Sequence, residues 1–167
     1  LIMLAETNLT ASDAGYDDQF GNSIAIAGDT VVVSAQWADD AFYNSGSAYV
    51  FSRNEGGPNA WGEVAKLTPS DTAPSQRYGT SVAISGDTVV VGARWDDTAG
   101  PGSGSGSAYL FSRNEGGPNA WGEVVKLTAS DKSVGDFFGV SVAISGDTVV
   151  VGAYADDDAG PQSNSGS

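Results

Sequence analysis

Apolar residues in this chain come in short runs of one shape. Thr30-Val31-Val32-Val33, Thr88-Val89-Val90-Val91 and Thr148-Val149-Val150-Val151 lack polar alternation, and each follows a five-residue segment of mixed small and apolar side chains, as at 81–85. Gly-Asp separates the two members of each pair, at 28–29, 86–87 and 146–147. A two-residue loop with glycine first signals a tight antiparallel hairpin. Two further segments complete the period: residues 107–113 and, after the polar stretch 114–120, residues 121–128. The pattern predicts a four-stranded antiparallel meander, and the 3.6-residue period of a helix is absent. Strands apolar at consecutive positions are covered on both faces, as happens when sheets stack.

The meander is copied along the chain. Residues 81–93 read SVAISGDTVVVGA and residues 141–153 repeat it; residues 51–64 and 111–124 both read FSRNEGGPNAWGEV. Aligning Phe20-Gly21, Tyr78-Gly79 and Phe138-Gly139 gives periods of 58 and 60 residues, the two extra residues falling in the glycine-rich loop around Pro101. Four-stranded units at this period suit the blades of a β-propeller better than a solenoid or a single sandwich. The chain holds about 2.8 such blades, fewer than the roughly four to eight that close a ring. The expected boundaries are 1–13 for the final strand of a preceding blade, 14–68 and 69–128 for two full blades, and 129–167 for the first half of a third. Unpaired edges recruit strands, so further blades or copies of the same chain are the expected partners, and a head-to-tail contact that fails to close would give a filament.

The paired elements resemble those of FG-GAP repeats in integrin-α-like propellers. Phe20-Gly21, Tyr78-Gly79 and Phe138-Gly139 match the FG element, and Ser34-Ala35, Gly92-Ala93 and Gly152-Ala153 match the GA of GAP with its proline replaced. The resemblance spans almost the whole chain and implies an all-β propeller found outside cells or on their surfaces, most often in adhesion or ligand binding. It also implies, in many members, a calcium loop between the first and second strands. Here that place holds only Gly-Asp, and one carboxylate cannot supply the six to eight oxygens calcium prefers.

Charge narrows the partners. Seven Lys and Arg face 21 Asp and Glu, for a net charge of -14, which repels phosphate backbones and anionic lipid. Nucleic acid is an unsuitable partner, and the apolar runs are far shorter than the roughly 20 residues of a membrane helix. Composition and resemblance together place the chain outside the cell or on its surface, as in a secreted bacterial protein.

In a meander, the loops after the second and fourth strands emerge at one end. Those loops hold thirteen aspartates against Arg77, Arg94 and Lys132, and they carry Trp37 and Trp95. This end is the expected binding face, with Trp37, Asp39, Asp40, Trp95, Asp96, Asp97, Asp156, Asp157 and Asp158 as candidate residues. Aspartates beside Gly and Ser also cap turns and keep a surface soluble. As ligands, Asp39-Asp40, Asp96-Asp97 and Asp156-Asp157-Asp158 would offer oxygens, and calcium is the cation they suit. Phe20, Tyr78 and Phe138 read as packing anchors, and Trp61 and Trp121 as pins of the loop before the fourth strand.

The chain contains no His and no Cys, which removes the commonest general base and the thiol nucleophiles. Repeated carboxylates lack the asymmetry of a catalytic pair. The expected function is a non-catalytic structural or adhesive repeat module. The alternatives are a cation-dependent propeller that binds a protein or glycan through its acidic loop face and, more weakly, an accessory domain of a secreted hydrolase.

Overall fold

A computed structural model describes residues 6–97 and 102–156. Ten strands run in chain order: β1 (Phe20–Ala27), β2 (Thr30–Ala35), β3 (Ser47–Arg53), β4 (Trp61–Leu67), β5 (Tyr78–Ser85), β6 (Thr88–Ala93), β7 (Ser107–Ser112), β8 (Gly122–Leu127), β9 (Ser141–Ser145) and β10 (Thr148–Gly152). They form antiparallel sheets β1-β2-β3-β4 and β5-β6-β7-β8 and a two-stranded sheet β9-β10. No helix long and apolar enough to cross a membrane is present among the described residues. Residues 6–13 of the segment expected to form the final strand of a preceding blade are not in a strand; residues 1–5 lie outside the described residues.

The hairpin turns close as their sequence dictates. Ala27 pairs with Thr30 and Ser85 with Thr88, leaving Gly28-Asp29 and Gly86-Asp87 as two-residue loops. β5 begins three residues earlier than the apolar pattern suggests. It reaches back to Tyr78 across a register shift, because Gly79 with φ 88° turns the chain there.

In the two four-stranded sheets the Val runs of β2 and β6 lie on inner strands with both faces covered. Val32, Ala48 and Val50 of the first sheet pack against Val82, Val89, Val91, Tyr109 and Phe111 of the second in one core. The opposite face of the first sheet gathers Val31, Val33, Tyr49, Phe51 and Phe20 with Leu9 and Ala11 of the chain before β1. The FG aromatics act as anchors: Phe20 meets Tyr49 edge-on at 5.7 Å, and Tyr78 meets Tyr109 at 5.6 Å. Trp61 and Trp121 lie beneath Arg53 and Arg113, which are 5.1 and 4.6 Å from the ring centres. Each arginine also pairs with the turn aspartate of its own blade, Asp29 at 2.8 Å and Asp87 at 2.5 Å. The fourth-strand loop is thereby tied to the first hairpin.

Neighbouring blades are joined through backbone. The loop after β2 runs parallel to the segment before β5, with bonds Ser75 N–H to Tyr43 O (2.8 Å), Arg77 N–H to Asn44 O (3.2 Å) and Tyr78 N–H to Ser45 O (3.0 Å). The same three bonds recur at the next junction, from Gly135, Phe137 and Phe138 to Ser103, Gly104 and Ser105. Approach this close requires Gly46 and Gly106 to lack side chains: a Cβ at either would fall inside the carbonyl oxygen of Tyr78 or Phe138.

Candidate functional site

Each complete blade carries one lysine near the end of its fourth strand, and this lysine gathers the acids of the loops beside it. Lys66 Nζ lies 2.5 Å from Asp13 Oδ2 and 2.5 Å from Asp40 Oδ1. Lys126 Nζ lies 2.5 Å from Asp71 Oδ2 and 2.6 Å from Asp96 Oδ2. A tyrosine ring lies under each ammonium, Tyr49 at 5.4 Å and Tyr109 at 5.1 Å. In the second blade Gln76 Nε2 donates to Asp96 Oδ1 and to the Tyr109 hydroxyl, both at 3.1 Å. That hydroxyl lies 2.8 Å from Asp71 Oδ1 and 2.9 Å from Asp96 Oδ2, so its proton is shared between them.

These contacts fix protonation. Burial pushes the Asp96 carboxyl up, but the Lys126 ammonium and the hydrogen bond from Gln76 outweigh it and hold the group below the usual carboxylate range. The Lys66 hydrogen bond lowers Asp13 in the same way. Desolvation works downward on Lys66 and Lys126, and the paired carboxylates overcome it and raise both ammoniums. Burial, with the adjacent carboxylates, pushes the Tyr49 and Tyr109 hydroxyls up.

The candidate aspartates therefore divide by role. Counted from Ala35 and Ala93, Asp39 and Asp97 are the equivalent pair, and each caps its own loop. Asp39 Oδ1 accepts Asn44 N–H at 2.6 Å, and Asp97 accepts Gly102 N–H at 2.7 Å and Gly104 N–H at 3.1 Å. Asp96 has Ala38 as its sister, and Asp40 meets Lys66 from two residues further on, where it also accepts from Ser47 Oγ. Asp156, the sister of Asp96, is buried; Asp157 and Asp158 lie outside the described residues. Among the described residues no three acidic groups gather as a metal cluster. At Lys66 and Lys126, where two acids converge, an ammonium stands between them. Lys66 and Lys126, counted with the strands when the loops are tallied, reach this face and make it less acidic than the loop sequences suggest. Chelation with EDTA should accordingly leave the melting temperature unchanged within about 1 °C; a drop of several degrees, restored by calcium, would show that a cation supports the loops.

Trp37 and Trp95 stand in one ladder across three repeats. The Arg77 guanidinium lies 5.7 Å from the Trp37 ring centre and 5.3 Å from that of Trp95. Trp95 meets Phe137 edge-on at 4.9 Å, and Phe137 stacks on Tyr154 at 5.4 Å with planes 9° apart. Arg77 and Phe137 occupy the residue before the FG element and have positive φ, 52° and 57°, as does Gln19 at 56° in the first blade. A left-handed residue repeated three times belongs to the fold, and in the second and third repeats it hands a side chain to the loop of the repeat before. Sequence reading gave no role in binding to Arg77, Phe137 or Tyr154; their one signal is the shared register, since three residue types fill it.

Beside Trp37 lies a groove of 230 Å³, lined by Tyr16, Asp17, Trp37, Asp39, Tyr43 and Asn44. Tyr16 is 95% exposed and Tyr43 68%.

Sheets of four antiparallel strands, joined by a parallel backbone contact and anchored by an FG aromatic, define a propeller-type repeat protein. The FG-GAP repeat profile matches three times, over residues 4–51, 61–111 and 121–167, and the chain belongs to this family. No curated protein matches it.

Proposed function

We propose that the chain is a non-catalytic structural or adhesive module acting outside the cell, whose stack of blades continues into further blades or copies of itself. One observation carries this reading. Val82 and Ile84 of β5 pack in the core shared with the first sheet, whereas Ile24 and Ile26, their counterparts on β1, are each 64% exposed. Val150 of β10 is 61% exposed where its sister Val90 is fully buried. The two ends of the stack thus carry complementary apolar surfaces of the kind already packed within it, and exposed apolar patches of this sort mark interaction sites. The absence of His and Cys, the acidic composition and the usual extracellular setting of FG-GAP repeats agree with the reading.

Analytical ultracentrifugation of the isolated chain is the test. Species at multiples of 16.9 kDa that revert to monomer in Ile24→Asp/Ile26→Asp are expected. A monomer at roughly 100 μM that melts cooperatively would overturn completion by copies. The loop face, with its aromatic ladder, is the side such a stack presents to partners.

A further inference from the structure

Each repeat carries a polar side chain two residues before the FG element, and one of its oxygens accepts a backbone N–H from three residues earlier: Asp18 from Gly15, Gln76 from Ala73 and Asp136 from Ser133. The other polar atom of Gln76 completes a network, since Nε2 donates to Asp96 and to the Tyr109 hydroxyl. In the third repeat the matching atom, Asp136 Oδ1, has no hydrogen-bond partner among the described residues, although Asp136 is only 2% exposed. A carboxylate oxygen shut away from water without a donor is costly and calls for one. Asp156, in register with Asp96, is buried beside the same turn, and Asp131 is in register with Asp71.

The second blade shows which donors belong there. The Tyr109 hydroxyl and the Lys126 ammonium meet Asp71 and Asp96, and both arrive on the strand pair β7–β8. That pair adds to the free edge of β6, in register from Thr88 with Ser112 to Ala93 with Ser107. Residues 148–153 repeat residues 88–93 letter for letter, yet among the described residues β10 pairs with β9 alone. Val89 and Val91 are fully buried, whereas Val149 and Val151 are half-buried. An open edge of this kind accepts a strand. Two sources are unsuited to supply it. Residues 6–13 have the register of a fourth-strand end, but Asn8 stands in the place of the lysine, and Ser12 and Asp13 are bound to Glu63 and Lys66 of the first blade. The lysine-bearing pairs β3–β4 and β7–β8 are engaged in their own sheets, so a second copy could donate one only by opening a blade.

We propose that the β9–β10 half-sheet is an acceptor for a strand pair of a further blade, bearing a tyrosine and a lysine at the spacing of Tyr109 and Lys126, and that Asp131, Asp136 and Asp156 select it. The tyrosine hydroxyl donates to Asp136 Oδ1, and the ammonium lies between Asp131 and Asp156 as Lys126 lies between Asp71 and Asp96. Asp136 in place of Gln76 adds a negative charge, which makes a cation more necessary here than in the second blade. The inference rests on the reading that the stack continues, and it names what the continuing strands carry.

The test titrates the whole chain with labelled peptides of residues 107–127, following fluorescence anisotropy and hydrogen exchange. Three peptides are compared: the native sequence, Lys126→Met and Tyr109→Phe. The expected result is binding of the native peptide with slowed exchange at Thr148–Gly152, a loss of about tenfold or more for Lys126→Met, and a loss of about fivefold for Tyr109→Phe. In an Asp136→Asn chain the Tyr109→Phe loss should shrink to about twofold, because the hydrogen bond is no longer charge-assisted; an undiminished loss would overturn the contact with Asp136. No binding at about 1 mM peptide, or binding that leaves β10 exchange unchanged, would overturn the acceptor site, while self-association through Ile24 and Ile26 would stand or fall by ultracentrifugation. Slowed exchange with equal affinity for all three peptides would overturn selection by the carboxylates.

Discussion

Gly106→Ala should lower stability by about 3–5 kcal/mol and the melting temperature by roughly 10 °C, the larger part arising at the junction between the second and third blades. Two effects add. Gly106 has φ 86°, a conformation that costs an alanine about 1–3 kcal/mol. The new Cβ would in addition overlap the carbonyl oxygen of Phe138, with the backbone nitrogen and carbon of Phe138 also within contact. Backbone cannot swing aside as a side chain can, so the three bonds from Gly135, Phe137 and Phe138 to the preceding loop have to lengthen. Gly86→Ala separates the two effects. Gly86 has φ 56° and nothing within 4 Å of its Cβ position, so its loss should be only about 1–2 kcal/mol. Thermal melts with hydrogen exchange at β9 and β10 decide the matter; equal losses at the two glycines would mean that the close approach contributes nothing.

Much of this architecture was legible because repetition and burial speak through the same residues. The Val runs and the Gly-Asp turns mark β2, β6 and β10 with their hairpins, and the recurrence of Phe20, Tyr78 and Phe138 marks the anchors. The site was less legible, for a physical reason. A lone lysine ending an apolar strand carries no periodic signal, so nothing in the pattern shows that Lys66 and Lys126 turn over the loop end and neutralise its acids. The pairing of Asp39-Asp40 with Asp96-Asp97 looks natural in sequence, but the two doublets are staggered by one residue. The acid reaching the lysine comes from Asp40 in one blade and Asp96 in the next, and Gln76 completes the second network where the first blade has Asp18. What matters is which oxygen arrives at the ammonium, and several loop positions can deliver it. Trp37 and Trp95 were singled out as aromatic types, whereas their partners Arg77 and Phe137 differ chemically and share only a left-handed backbone position.

Lys126→Met should cost about 3 kcal/mol, and more than Lys66→Met. The methionine keeps the aliphatic volume over Tyr109 while leaving Asp96 with a side chain only 8% exposed and no cation. Losing one partner of a buried pair strands the other, which is the expensive outcome. Asp40, the matching acid in the first blade, is 24% exposed, so water compensates more of its loss. The pH dependence is distinctive. In the native chain the lowered Asp96 contributes stability that is present above the unfolded carboxylate value of about 3.9 and lost as pH falls through its folded value. The raised Lys126 and Tyr109 contribute stability present below about pH 10 and lost as pH rises further. Without Lys126 the burial of Asp96 is unopposed by charge, so its carboxyl moves up and the variant gains stability on acidification. The gap between native and variant should therefore narrow from pH 7 to pH 4.5 in urea titrations. Asp96→Ala, which installs the residue found at Ala38 in the sister blade, should recover part of the loss when combined with Lys126→Met. A gap constant over that range, with no recovery in the double variant, would mean that Lys126 acts through packing on Tyr109 and that the ion pair contributes little.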